Sequence, residues 1–220
     1  MKGSVIIIVA NVIASLGIVN IRKYRQVPQQ AVTAGDFSSA RASKVIATVE
    51  VQTNSSTGED NSVIELEPDR LLTAASAAKA PAFAEGSWIN SDTLTREKLR
   101  GRVVLVEFWT FGCYNCRNTL PSLREWDAKY RDPGLTIVGV HTPETGSEYR
   151  IENVRREVPL LGIKYPVVTD NDYKTWKAYG VEAWPTIFVI DKQGRIRWLH
   201  VGEGRYEETE SVIKTLLAES

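Results

Sequence analysis

The larger, carboxy-terminal part of the chain has the pattern of an α/β domain with a mixed central sheet flanked by helices. Residues 103–109 (VVLVEFW) and 135–141 (LTIVGVH) are short apolar runs rich in β-branched residues, which is typical of strands buried on both faces. Residues 186–190 and 196–201 are apolar runs separated by a turn that contains Gly194, which predicts a β-hairpin. Helical patterns between these runs supply the covering layers.

The chain begins with an apolar segment. Residues 4–21 are eighteen positions without a charge, preceded by Lys2 and followed by a basic stretch at 22–25. Because about 20 apolar residues span a bilayer as a helix, we expect residues 1–25 to be a transmembrane anchor or an uncleaved signal. Residues 4–21 would then contact the lipid bilayer. A secretory signal cleaved near Ala14 is the alternative.

Residues 26–80 differ in composition from the rest of the chain. Phe37 is their only aromatic residue, and small or polar residues dominate. We expect a linker here. Alternating residues at 45–51 and a short apolar run at 63–66, on either side of a polar turn, indicate a small hairpin within it.

Residues 81–220 are the predicted domain. Its two parallel strands and its hairpin are joined by segments with helical or extended patterns. In order, these are a helix through Leu120, Leu123, Trp126 and Tyr130, a surface helix at 147–157, an extended piece at 165–169, a short helix at 172–179, and a terminal amphipathic helix at 212–217.

The composition excludes several classes of protein. Basic and acidic residues number 27 each, so the sequence shows no basic excess for nucleic acid. Two cysteines can form only one bridge, which excludes a disulfide-stapled scaffold. Six Trp, eight Tyr and five Phe argue against a disordered chain. What remains is a globular domain whose only thiols are Cys113 and Cys116.

The two cysteines follow a buried strand and open a predicted helix. The unpaired N–H groups and the macrodipole at a helix N-terminus stabilise a thiolate. We therefore expect Cys113, at the exposed turn, to be the nucleophile, and Cys116, one turn into the helix, to be the resolving thiol. A structural zinc site with His141 and His200, a structural disulfide, and two inert buried thiols are the alternatives. The histidines lack zinc-finger spacing, so no metal or cofactor is expected.

Five segments occur in a fixed order: 106–116 (VEFWTFGCYNC), 139–144 (GVHTPE), 165–166 (YP), 170–172 (DND) and 202–204 (GEG). Together they resemble thioredoxin-fold proteins, in particular the TlpA-like, membrane-tethered redoxins. They are most similar to the thioredoxin-like domain of DipZ-type cytochrome c biogenesis proteins. The resemblance covers about residues 80–220 and implies a thioredoxin fold with a redox-active cysteine pair.

The resemblance also implies roles for single residues. Pro121 matches the proline that kinks the active-site helix. Pro185, after Trp184, matches the cis-proline beside the disulfide, where an extended substrate docks. Glu107 matches the buried acid that exchanges a proton with the resolving cysteine. A carboxylate inside an apolar run is expected to have a raised pKa, which suits a general base for Cys116.

Two further residues, His141 and Trp109, are expected near the cysteines. His141 ends a predicted parallel strand, at the edge where such sheets carry their sites, so it is either a group that tunes the thiols or an ordinary loop histidine. Trp109 is expected to pack beside the site. Tyr114-Asn115 replaces the Gly-Pro of thioredoxin, so the resemblance leaves the direction of electron transfer open.

The sequence therefore predicts a membrane-tethered thiol–disulfide oxidoreductase acting on protein thiols and disulfides. By analogy with the family we expect a reductant supplied by a membrane electron donor, with no nucleic acid partner. One alternative is a thiol peroxidase with peroxidatic Cys113 in a Thr110-x-x-Cys pattern, although Val106 stands where that pattern expects proline. The other is a copper chaperone that holds Cu(I) through the cysteines and His141.

The signals for the compartment disagree. Three basic residues after the apolar span, against Lys2 and the amino terminus before it, favour a domain on the cytoplasmic side. The family and the long tether favour the opposite side. We expect a single-pass protein of the bacterial cytoplasmic membrane, with the catalytic domain on the extracytoplasmic, periplasmic side.

Overall fold

The computed structural model describes residues 47–50 and 63–220. The strands β1 (Ala47–Glu50) and β2 (Val63–Leu66) pair antiparallel, in the region where the sequence indicates a small hairpin. The predicted anchor, residues 1–25 with the apolar span 4–21, lies outside the described residues. None of the helices within residues 63–220 has the length and apolar character needed to cross a membrane.

A six-stranded sheet organises the rest of the described chain. Its strand order is β3-β6-β5-β4-β7-β8; β4, β5 and β6 are parallel, and the remaining pairings are antiparallel, which confirms the predicted mixed sheet. The elements are β3 (Trp88–Ile89), α1 (Arg96–Leu99), β4 (Val103–Trp109), α2 (Tyr114–Tyr130), β5 (Leu135–His141), α3 (Ile151–Leu160), β6 (Val167–Thr169), α4 (Lys174–Ala178), β7 (Thr186–Ile190), β8 (Ile196–Val201) and α5 (Tyr206–Ala218).

The helix α3 is displaced from its predicted position. The sequence placed it at 147–157, whereas it begins at Ile151 and ends at Leu160. Residues 143–150 instead form the loop after β5, because the carboxylate of Glu148 binds backbone N–H groups of that loop. The short elements β3 and α1 were not predicted.

Strand β4 lies at the centre of the sheet, and all of its residues are buried. Alternation along the strand sends Val103, Leu105 and Trp109 into one apolar cluster and Val104, Val106 and Phe108 into the other. The first cluster contains Cys116, Leu120 and Leu123 of α2. Glu107 shares the parity of Leu105 and Trp109, so its side chain faces α2.

The segment before residue 81 packs against the far edge of the sheet. Backbone hydrogen bonds join Asp69 N to Leu199 O at 2.8 Å and Leu72 N to Arg197 O at 2.9 Å. The Leu66 side chain is only 1% exposed. Residues 66–72, which the sequence assigned to the linker, thus pack against the sheet. Backbone hydrogen bonds make much of this contact, and such bonds leave no pattern in the side chains.

Candidate active site

The cysteine pair lies at the start of α2, as predicted. Cys113 is the N-cap residue, and its Sγ accepts a hydrogen bond from the backbone N–H of Cys116 at 3.2 Å. The two sulfurs form a disulfide, with the Cα atoms 5.3 Å apart. Cys116 is fully buried and Cys113 only partly so. An incoming sulfur can therefore approach Cys113 but not Cys116.

Residues between and after the cysteines complete the turn. Tyr114 is 76% exposed, which leaves the outer surface of the turn open to a partner. Pro121 lies within α2, and the helix continues past it to Tyr130. The N–H that Pro121 lacks would have bonded to Arg117, in the turn that follows the cysteines.

Glu107 is a buried acid beneath the cysteines. Its side chain is 0% exposed, and Oε1 accepts a hydrogen bond from the Thr119 hydroxyl at 2.6 Å. Burial raises the pKa of Glu107 to about 8, against the lowering influence of the Thr119 and Tyr165 hydroxyls. The Thr119 hydroxyl oxygen also lies 2.7 Å from the carbonyl oxygen of Cys116, a second possible acceptor for its one hydrogen. The acid predicted from the sequence is thus connected to the resolving cysteine through Thr119.

A glycine on the neighbouring strand leaves room beside this acid. Gly139 pairs with Glu107 in register, and a Cβ at Gly139 would lie 2.7 Å from Trp109 Nε1 and 3.4 Å from the Tyr165 ring. Glu107 Oε2, Trp109 Nε1 and the Tyr165 hydroxyl have no hydrogen-bond partner among the described residues. Buried polar atoms in this arrangement are typical of a site that exchanges protons.

His141 lies behind the cysteine turn. Its ring stacks on Phe111 with centroids 5.5 Å apart and meets Trp109 edge-on at 5.3 Å. Burial lowers the pKa of His141 to about 4, so the imidazole is neutral at physiological pH. Nε2 lies 3.2 Å from the Thr110 hydroxyl, and the Cys113 N–H donates to the Thr110 carbonyl at 3.3 Å. His141 therefore reaches the turn through Thr110.

Glu148 supports the same turn from the loop after β5. Its Oε1 accepts from Gly112 N at 2.9 Å, and Oε2 accepts from Glu144 N at 2.7 Å and Thr145 N at 2.8 Å. Desolvation opposes ionisation, but these amides and the Thr110 hydroxyl outweigh it and lower the pKa of Glu148. An ionised carboxylate thus fixes the residue immediately before Cys113.

Trp184 and Pro185 lie at the same end of the sheet as the cysteine turn. The peptide bond between them is cis. In the register of β4 and β7, Thr186 is opposite Phe108, so Pro185 is next to the carboxyl end of β4. The half-buried Trp184 ring packs on Trp176 with centroids 4.4 Å apart.

The loop after β8 joins this region to α2. Gly202 N donates to Pro185 O at 2.8 Å, and Asn118 Nδ2 donates to Glu203 Oε2 at 3.0 Å. The loop at 202–204 thus bridges the proline loop and the active-site helix. These contacts hold the backbone at Trp184 and Pro185, where an extended substrate is predicted to dock.

Sequence reasoning missed three residues of this site. Thr119 lies one turn after Cys116, and this spacing is the signal that could have placed it on the face of α2 that carries the resolving cysteine. Tyr165 belongs to segment 165–166, one of the segments that resemble the family, but the sequence predicted no role for it. No sequence pattern indicated a role for Glu148, because the polar residues around it predicted an exposed surface helix.

The sheet, the helix-capping Cys113, the buried Cys116 and the cis-proline loop together define a thioredoxin-fold domain. Residues 77–199 match the model of the AhpC/TSA family. The chain belongs to this family.

Three proteins similar to this chain include two named for thiol–disulfide exchange. The chain is 40% identical to Protein DipZ of Mycobacterium bovis over 133 residues, 59% of this chain but only 19% of DipZ. It is 29% identical to the thiol-disulfide oxidoreductase YkuV of Bacillus subtilis over 62% of this chain and 91% of YkuV. The crystal structure of a putative thiol:disulfide interchange protein DsbE from Chlorobium tepidum superposes with a TM-score of 0.57, at 27% identity, over 64% of this chain and 97% of that one. The predicted resemblance is confirmed.

Proposed function

We propose that this chain is a membrane-tethered reductant of protein disulfides. The observation that carries the proposal is the unequal exposure of the two sulfurs: Cys113 caps α2 and is partly exposed, whereas Cys116 is buried behind it. An accessible nucleophile and a sheltered resolving thiol are what two-step disulfide exchange requires. Relatives named thiol-disulfide oxidoreductases support the same reaction.

The proposed reaction begins with the reduced dithiol. The Cys113 thiolate attacks one sulfur of a substrate disulfide, forming a mixed disulfide and releasing the other substrate sulfur as a thiolate that takes a proton from water. Cys116 then loses its proton and attacks Cys113 Sγ, which breaks the mixed disulfide and releases the second substrate sulfur as a thiolate that takes a proton from water. The chain is left oxidised, as in the described structure.

Glu107 is the proposed acceptor of the Cys116 proton. A general base works best when its pKa is near the operating pH, and the pKa of Glu107 is raised to about 8 by burial. The Thr119 bridge places the acid against the first turn of α2.

Tethering and partners rest on the sequence and on the relatives. Residues 4–21 would anchor the chain in a bacterial cytoplasmic membrane, with the domain on the periplasmic side and a membrane electron donor restoring the dithiol. The similarity to DipZ supports a role in cytochrome c assembly. A reporter fused after Ser220, active in only one compartment, tests the orientation, and alkaline extraction of membranes tests the anchor.

The two alternative functions are less well supported by the site. The Thr110 hydroxyl, which a peroxidase would aim at the peroxidatic sulfur, is buried and lies 3.2 Å from His141 Nε2. His141, the one further ligand considered for a copper site, contacts the cysteine turn through Thr110. Peroxide consumption, or stoichiometric copper retention without disulfide reduction, would favour these alternatives.

The deciding experiment follows the reduction of a protein disulfide by the full chain. We expect Cys113→Ser to abolish turnover and Cys116→Ser to accumulate a mixed disulfide with substrate. The redox titration then sets the direction: a potential near that of thioredoxin, about −270 mV, fits a reductant, and one near about −120 mV fits an oxidant. Full activity of Cys113→Ser would exclude the mechanism.

A further inference from the structure

The Thr119 hydroxyl lies between two acceptors. Its Oγ1 is 2.6 Å from Glu107 Oε1 and 2.7 Å from the carbonyl oxygen of Cys116, and the side chain is 1% exposed. A hydroxyl has one hydrogen, so it donates to only one of these acceptors at a time. Because a carboxylate attracts a donor more strongly than a peptide carbonyl, the charge on Glu107 decides which acceptor receives it.

We propose that Thr119 is a positioning residue that couples the proton on Glu107 to the first turn of α2 at Cys116. When Glu107 is ionised, the Thr119 hydroxyl donates to Oε1. When the carboxylate takes up a proton, its new O–H donates to Thr119 Oγ1, and the Thr119 hydrogen turns to the Cys116 carbonyl. No electron moves; one O–H bond forms on Glu107 and one hydrogen bond changes acceptor.

This coupling rests on the proposed function, in which the proton comes from the Cys116 thiol. Its consequence is that protonation of Glu107 gives the backbone carbonyl of Cys116 a hydrogen bond from Thr119. The presence of this hydrogen bond at Cys116 therefore depends on whether Glu107 is protonated.

A second threonine of the chain provides a matched control. Thr215 on α5 also donates to a carbonyl of its own helix, that of Ser211 at 2.9 Å, but it is exposed. Back-bonding of this kind is common for helical threonines and needs no functional explanation. What distinguishes Thr119 is the second acceptor, a buried carboxylate.

The test is a pH titration of the oxidised full chain by carbon-13 NMR, with labels at the Glu107 side-chain carboxyl and the Cys116 backbone carbonyl. We expect both carbons to titrate with one midpoint in the wild-type chain. Thr119→Val should raise the Glu107 midpoint by about one pH unit, since a donor to the carboxylate is lost, and should abolish the Cys116 response. Thr119→Ser should restore both, and Thr215→Val should change neither.

The result that would overturn the inference is a Cys116 carbonyl that does not respond while Glu107 titrates in the wild-type chain. An unchanged Glu107 midpoint in Thr119→Val would do the same. If that variant fails to fold, Glu107→Gln decides: the Cys116 response must vanish although Thr119 is intact. Disulfide reduction is measured separately; its absence alongside a coupled titration would count against the proposed function and not against the coupling.

Discussion

Glu107 and Glu148 approach the cysteine turn from two sides, one beneath α2 and the other from the loop after β5. Their side chains are 0% and 1% exposed, yet burial raises the pKa of Glu107 to about 8 while the pKa of Glu148 is lowered. Glu107 Oε1 has the Thr119 hydroxyl as its donor, whereas backbone N–H groups of Gly112, Glu144 and Thr145 bind Glu148. Deep burial raises the pKa of Glu107 against only hydroxyl donors, whereas the backbone N–H donors and the Thr110 hydroxyl outweigh a weaker desolvation at Glu148 and lower its pKa.

The different hydrogen-bond donors of the two acids indicate different roles for the two regions. The Glu148 region is a fixed support, because backbone amides cannot turn away from the carboxylate that they bind. The Glu107 region is adjustable, because its donor is a hydroxyl with a second acceptor and its Oε2 has no partner within the described residues. A thiol–disulfide exchange needs both: a turn that stays in place and a base that changes its protonation state.

The largest expected effect is on the pH dependence of stability. The pKa of Glu107 is raised from 4.5 to about 8 on folding, so the proton is retained in the native chain and lost from the unfolded chain between these values. The stability that the neutral acid contributes is full below pH 4.5 and is lost as the pH rises towards 8. Relative to Glu107→Gln, the wild-type chain should lose about 1.4 kcal/mol per pH unit in this window.

Urea unfolding of the oxidised chain, followed by tryptophan fluorescence from pH 5 to 8, measures this loss. Groups that titrate in both chains cancel in the difference between wild type and Glu107→Gln. A flat difference would mean that Glu107 is ionised in the folded chain, and the contrast with Glu148 would disappear.

Removing the second acid should reduce stability directly. Glu148→Ala leaves the amides of Gly112, Glu144 and Thr145 without their acceptor, and we expect a loss of about 2–4 kcal/mol at neutral pH. Glu148→Gln keeps an acceptor oxygen and should lose less. The pH window is opposite to that of Glu107: the lowered pKa contributes stability above 4.5 that is lost as the pH falls through the folded value.

Chemical denaturation of both Glu148 variants at pH 7 and pH 4 provides the comparison. If the difference in free energy of unfolding between Glu148→Gln and the wild-type chain is the same at the two pH values, the charge of the Glu148 carboxylate does not stabilise the turn.

The contrast between the acids also shows how far the sequence could predict this site. Strand β4, the cysteines at a helix start and a buried Glu107 follow from apolar runs and short spacings, which are local signals. Glu148 contacts Gly112 from 36 positions away along the chain, and no local pattern indicates such a pair. The same holds for Gly139, whose missing side chain matters only because Trp109 and Tyr165 converge on it.

A third substitution tests how closely the Glu148 carboxylate packs against Gly112. A Cβ at Gly112 would lie 2.4 Å from Glu148 Oε1, so Gly112→Ala must displace the carboxylate. We expect a loss of about 1–3 kcal/mol in the free energy of unfolding. In the Glu148→Ala background the same substitution should be nearly neutral, because the clash is gone. Additive losses in this double-mutant cycle would show that Gly112 matters for another reason.

The smallest effect on stability is expected at the Tyr165 hydroxyl. Among the described residues this buried hydroxyl has no partner with full hydrogen-bond geometry, but it lies close enough to Glu107 to lower the pKa of that carboxyl. Tyr165→Phe removes an unpaired polar group, so the free energy of unfolding should change by less than about 1 kcal/mol. The Glu107 midpoint should nevertheless move upward, by about half a pH unit, in a carboxyl carbon-13 titration.

The combination of these two readouts separates the regions more sharply than either alone. Around Glu148, a lost donor or acceptor should lower stability, because the amides and the carboxylate hold the turn together. Around Glu107, a lost hydroxyl should change the charge state and leave stability nearly unaltered. A Tyr165→Phe chain that unfolds much more easily, with an unmoved Glu107 midpoint, would place this hydroxyl in the supporting framework and make the adjustable base depend on Thr119 alone.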